Sequence, residues 1–149
     1  MSLHYLTVQD ILWINLELTK KVNSFDFAKL EEATYYQYGY GQSTSLIPQA
    51  ARFLKGFVKL NPLAAGSEQT AFVGCIAFLK VNGVQVKLLD PAAGEWLKGA
   101  LSGSAEDAIR SIAVEAVSHD HSEADIRTAV REVLSGFPQT AGLTAKATG

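Results

Sequence analysis

The stretch Lys59-Leu-Asn-Pro-Leu-Ala-Ala-Gly-Ser-Glu-Gln-Thr-Ala-Phe72 runs from a proline-containing loop into a strongly apolar segment, and it holds the residue types best placed for ligand chemistry. Gly66 and Ser67 stand where a helix should begin. Free backbone N–H groups and the positive end of the macrodipole at such a point can hold a phosphate. The same two residues serve equally well as an ordinary N-cap, since Ser and Gly open helices in proteins of every function. A second candidate is Tyr35-Tyr-Gln-Tyr-Gly-Tyr-Gly41. If this segment is extended, Tyr36, Tyr38 and Tyr40 alternate with Gln37, Gly39 and Gly41, and a peptide could lie against a face of aromatic rings. The rings could instead cover the core under a glycine-rich turn, with their hydroxyls in water. His119-Asp-His121 offers metal-ligand types, but no second cluster completes a coordination shell, so it reads as a solvated connection. Cys75 is the only cysteine, which excludes an intrachain disulfide framework or a cysteine-based metal site and suits a reducing compartment. Trp13 and Trp96 read as helix-packing residues, Asp10 with Glu17 as a solvated helix face, and His4 as part of an N-terminal extension without a role.

The elements that must position these residues are helical. Thr7 can cap a helix to about Lys21 with Val8, Ile11, Leu12 and Leu16 on one face. Asp26 caps a short second helix through Leu30 and Ala33, after which the tyrosine segment reads as extended. Ser45 starts a third, with Pro48 in its first turn and Ile47, Ala50, Ala51, Leu54, Phe57 and Val58 as an apolar stripe that Pro62 stops. The fourth, about Glu68 to Val81, is apolar nearly all round and is expected at the centre of the fold, ending at Asn82-Gly83. Val84, Val86 and Leu88 alternate as a short extended piece. Asp90-Pro91 opens a fifth helix that Gly103 closes, and Ser104 opens a sixth with Ile109, Ile112, Ala113, Ala116 and Val117 inward. Ser122 opens a seventh with Ile126, Ala129, Val130, Val133 and Leu134. The expectation is an all-α bundle of about seven helices around a buried central helix, with a short extended flap: one domain over residues 1–138 and a disordered tail over 139–149.

Composition sets the outer limits. With 149 residues, 48% of them hydrophobic and 19% charged, the chain can build one real core. A net charge of -2 with Lys and Arg scattered argues against nucleic acid as the primary partner. No apolar run approaches the roughly 20 residues of a membrane span, and residues 1–6 do not form a signal sequence, so a cytoplasmic protein without a membrane partner is expected.

The opening Tyr5-Leu-Thr-Val-Gln-Asp-Ile-Leu12, the segment Leu30-Glu-Glu-Ala33, the loop Asn61-Pro-Leu-Ala-Ala-Gly-Ser-Glu-Gln-Thr-Ala71 and Phe78-Leu-Lys-Val-Asn-Gly83 together resemble, in order and spacing over about residues 5 to 134, successive landmarks of the Fic/Doc (Fido) family, nearest its death-on-curing branch. In that family the loop reads His-Pro-Phe-x-Asp/Glu-Gly-Asn-Lys/Gly-Arg, commonly followed by Thr-Ala. Members transfer AMP, another nucleotide fragment or a phosphate onto protein hydroxyls. The His is the general base, the acid holds a metal ion, and the Asn and Arg support the phosphates. The family's flap pairs with target backbone, and Tyr35 to Ser45 occupies a similar chain position.

Pro62, Gly66, Thr70 and Ala71 match this pattern, whereas the chemical positions depart from it. Asn61 replaces the base, and an amide accepts no proton near neutral pH. Ala65 replaces the metal carboxylate and offers Mg²⁺ no oxygen. Gln69 replaces the phosphate arginine, and Glu68 adds a negative charge beside it. Ser67 for Asn and Leu63 for Phe are milder changes. No inhibitory Ser/Thr-x-x-x-Glu helix is recognisable. The resemblance therefore implies a toxin-antitoxin-related pseudoenzyme with no cofactor and no metal. It would bind an antitoxin-like protein or peptide, or a second copy of itself, through the flap and the former active-site groove. The alternative is an AMPylation-type nucleotidyltransferase or Doc-like kinase of altered chemistry, holding ATP or another nucleotide with Mg²⁺ at Gly66 and Ser67.

Overall fold

The computed structural model describes residues 4–38, 46–115 and 126–137. Seven helices occur among them: α1 (Val8–Thr19), α2 (Phe27–Tyr35), α3 (Leu46–Leu60), α4 (Ser67–Val81), α5 (Asp90–Ser102), α6 (Ala105–Ile112) and α7 (Ile126–Gly136). Two short strands, β1 (Val84–Val86) and β2 (Ala113–Glu115), pair antiparallel with Val84 opposite Glu115 and Val86 opposite Ala113. The protein is an all-α bundle with a small extended element. No described helix is long and apolar enough to cross a membrane.

The helix starts follow from their caps. Thr7 and Asp10 form a reciprocal capping box, the Thr7 hydroxyl accepting from Asp10 N and the Asp10 carboxylate from Thr7 N. Asp26 accepts from Lys29 N, and Ser104 from Asp107 N. The Asp90 expectation shifts by one residue: Asp90 is the first helical position and Leu89 the cap.

α4 is the centre. Apart from Glu68, Gln69 and Lys80 its residues are all buried, and it packs against α3, α7, α1 and β1. Buried side chains of every helix join one hydrophobic cluster, with Phe53, Phe57, Phe72 and Phe78 among the largest members. At the C-terminal end of α4 the Asn82 amide donates to the carbonyls of Phe78 and His4, while its oxygen accepts from His4 N. His4 thus has a backbone role that its side chain does not suggest.

Three sequence expectations are corrected. The most buried residues of α1 are Ile11, Ile14, Asn15 and Leu18; of the expected face, Ile11 is buried, Val8 and Leu12 are partly buried against the core, and Leu16 is 41% exposed. Both stripes have helical spacing, and the observed one wins because the Asn15 amide finds partners inside. α6 stops at Ile112 instead of continuing inward through Ala113, because Ala113–Glu115 satisfies its backbone against β1, and Lys87 N donates to Ile112 O. The tyrosine segment is not extended at its start. Tyr35 belongs to α2, Tyr36 is its C-cap with φ -62 and ψ -18, and Tyr38 N donates to Tyr35 O in a turn. Ser45, Ala116, Val117, Ser122 and residues 139–149 lie outside the described residues.

Tyr36 and Tyr38 cover the bundle from outside. The Tyr36 ring lies on Gly56 of α3, where any Cβ would collide with it, and its hydroxyl donates to Glu32. Gly56→Ala should therefore destabilise the fold by about 1–3 kcal/mol in urea unfolding, with most of that loss absent in a Tyr36→Ala background. Burial pushes the Cys75 thiol up from 9.0 to about 12. Its neutral form is favoured in the fold, so the stability this gives is fully present below pH 9.0 and drains away as pH rises towards 12. Alkaline unfolding curves of the wild type should be steeper than those of Cys75→Ala, by up to about 1.4 kcal/mol per pH unit in that window.

Candidate functional site

The loop between α3 and α4 is framed by two left-handed residues. Asn61, with φ 48, ends α3, and Gly66, with φ 77, opens α4. Asn tolerates this conformation better than most side chains, so Asn61 has a backbone task as well as an exposed amide. Between these residues the loop is stitched to the chain preceding α2. Asp26 N donates to Pro62 O, Ala64 N donates to Ser24 O, and Phe25 bridges Leu63 antiparallel. Pro62 and Leu63 are buried, while Ala64 is exposed.

The two ligand candidates at the start of α4 are now placed. Gly66 contributes no side-chain cap. The Ser67 hydroxyl is 3.1 Å from Leu63 N, from which it accepts, and 3.2 Å from Leu63 O, to which it donates. It faces into the loop and is buried. Gln69 is half-buried and Glu68 exposed, one residue apart on the first turn.

Beneath the loop lies a polar node that the sequence reading missed. Asn15 Nδ2 donates to Ala65 O at 2.8 Å and to Thr70 Oγ1 at 3.1 Å, and its oxygen accepts from Asn23 Nδ2 at 2.9 Å. Asn23 also donates to Thr19 Oγ1. Asn15, Asn23 and Thr70 are buried, and their mutual bonding is what makes that tolerable. The signal available in the sequence was an amide at i+4 from Ile11 on a helix otherwise rich in apolar residues.

Around the node the surface is mixed. A mainly apolar pocket of about 230 Å³ is lined by Leu12, Trp13, Leu16, Val22 and Phe25 with Asn15, Lys21 and Asn23, and a more polar, open depression of about 500 Å³ follows from residues 24–26 across residues 61–64. Val22 is 87% exposed and Phe27 60%.

Tyr36 and Tyr38 do not line this loop. The Tyr38 ring packs on Tyr5, tilted by 42° with centroids 4.4 Å apart, and lies 5.8 Å from Tyr35, and Tyr5 in turn packs against Phe78. Phe78 is eleven residues along α4 from Ser67, about 16 Å on the helix axis. Gln37, expected on the bare face, is fully buried and pairs through both amide atoms with the backbone of Leu6. Tyr40 and His119-Asp-His121 lie outside the described residues. Trp13 sits under Arg127 and Arg131 of α7, and Trp96 donates to Ala108 O, both as helix-packing residues. Among the described residues no cluster of His, Cys, Asp and Glu is arranged to hold a metal ion.

Comparison with protein-family models, curated proteins and solved structures finds no match for this chain.

Two measurements probe the loop. Asn15→Leu should cost about 2–4 kcal/mol in urea unfolding, because it strips partners from Thr70, Asn23 and Ala65 together. Ser67→Ala should cost about 1 kcal/mol and speed amide hydrogen exchange at Leu63 while leaving exchange in the middle of α4 unchanged.

Proposed function

We propose that the chain is a catalytically degenerate Fic/Doc-like protein that acts by binding a protein or peptide partner, of the antitoxin kind, at its α3–α4 loop. The observation that carries this reading is the chemistry of that loop. From Asn61 to Gln69 there is no imidazole to take a proton and no cation to hold a phosphate; the sole charge is the Glu68 carboxylate, and the sole hydroxyl, Ser67 Oγ, is engaged by Leu63. The positions shared with the family pattern have structural tasks here. Pro62 O receives Asp26 N, Gly66 supplies the left-handed turn, and Thr70 Oγ1 receives Asn15.

The partner surface favoured by the geometry is the exposed apolar run Val22, Phe25 and Phe27 beside the loop, together with Leu16. The tyrosine rings are a poorer choice, because Tyr36 and Tyr38 are already packed against α3 and Tyr5. One feature favours the second reading, a transferase of altered chemistry binding ATP or another nucleotide with Mg²⁺: no side chain caps the first turn of α4, so its N–H groups could meet an anion.

Incubation of purified protein with each labelled nucleoside triphosphate, Mg²⁺ or Mn²⁺ and host lysate should give no transferred label above a heat-denatured control. Label that appears with wild type and vanishes with Ser67→Ala would overturn the pseudoenzyme reading in favour of the second. In a pull-down from the same lysate, Val22→Ser with Phe25→Ser should lower partner recovery at least about tenfold, a loss of roughly 1.4 kcal/mol; undiminished recovery removes this surface.

A further inference from the structure

A groove of about 820 Å³ runs along the outer side of α3, closed by the α5–α6 junction and by Tyr36, and it shares no lining residue with the loop. We propose that it is a docking site for an acidic amphipathic helix of a partner protein. This proposal does not depend on the pseudoenzyme reading.

Ala51, Arg52, Lys55, Val58 and Lys59 follow one another at helical spacing, so α3 presents to the groove a stripe in which cations and apolar side chains are interleaved. Leu101 and Ala105 form the facing wall. The lining carries more positive than negative charge: Arg52, Lys55 and Lys59 are among its residues, and its one carboxylate among the described residues, Glu106, is bonded to Arg110 at 3.2 Å on its own helix. Lys55 donates to the Gly103 carbonyl at the end of α5, and neither Lys55 nor Lys59 has a carboxylate partner among the described residues. Such a concentration of positive charge runs against the chain's net charge of -2.

The spacing points to the class of occupant. Along the α3 axis Arg52 and Lys55 are about 4.5 Å apart and Lys55 and Lys59 about 6 Å, the rise between carboxylates at i, i+3 and i+7 of a second helix laid alongside. A nucleic acid strand would set phosphates against Ala51, Val58 and Leu101, which give them nothing. An acidic helix can place its own apolar residues there, as helices in grooves do.

The test is fluorescence anisotropy with the full chain and a fluorescein-labelled amphipathic peptide carrying Glu on one helical face and Leu on the adjoining one. A peptide with every Glu replaced by Gln and a labelled single-stranded DNA serve as comparators. Wild type should bind the Glu peptide at least about tenfold more tightly than either comparator, with affinity falling as salt rises. Lys55→Glu with Lys59→Glu should weaken binding by about tenfold or more, Lys55→Gln with Lys59→Gln should do so by less, and Lys87→Glu, outside the groove, should leave it unchanged. Thermal melts of all variants establish that each is folded. Failure of wild type to bind the Glu peptide, equal affinity for the Gln peptide, tighter binding of the DNA, or folded groove variants that bind like wild type would each overturn the proposal.

Discussion

A helix with no side turned to water has to be covered from every direction, and α4 imposes that condition on the whole protein. Its Phe, Ile, Leu, Val and Ala side chains are almost all sequestered, so α1, α3 and α7 must each commit an apolar face to it and β1 must cross its end. The two ends of the helix are tied to the chain in different ways. At the C-terminal end the Asn82 side chain bonds to the backbone at Phe78 and His4. At the N-terminal end the Ser67 hydroxyl folds back onto Leu63 and Asn15 reaches across from α1, which fixes the loop there but leaves the first-turn N–H groups without a side-chain cap.

The form of the α3–α4 loop follows from those ties. The left-handed turns at Asn61 and Gly66 bend the chain, and the pairing of residues 24–26 with residues 62–64 ties it to the segment that precedes α2. The geometry therefore has a sufficient physical cause without any ligand. This separates two sets of positions that the sequence presents side by side. Pro62, Gly66 and Thr70 are held by backbone and hydrogen-bond requirements, and Asn61 by its left-handed backbone, whereas among the described residues the side chains of Asn61, Ala65 and Gln69 make no hydrogen bond that fixes the loop. Chemistry can change at the second set while the scaffold persists, and this is the physical content of the pseudoenzyme proposal.

The tyrosine segment marks the boundary of what pattern reading can reach. Alternation of Tyr with Gln and Gly has a period of two, which suggests a strand, yet the first three positions turn instead, because Gln37 can satisfy both the N–H and the C=O of Leu6 from inside a turn. Buried hydrogen bonds to a residue thirty-one positions away leave no trace in local periodicity. The same reason puts Asn15, the node that ties three segments together, beyond the reach of local periodicity.

The sequence by itself determined the helical class, the central place of α4, the caps at Thr7, Asp26 and Ser104, and the short extended piece at Val84–Val86, since these depend on side-chain type and spacing within a few residues. It also displayed that residues 61–69 hold no imidazole and no cation, because that is a matter of which functional groups are present. The tertiary structure alone decided which face of α1 is buried, that α6 yields to β2, where the tyrosine rings lie, and that Arg52, Lys55 and Lys59 meet Leu101 across a groove. Each of these is settled by contacts between segments distant in the chain, whose energies outweigh the small local preferences that a sequence pattern records.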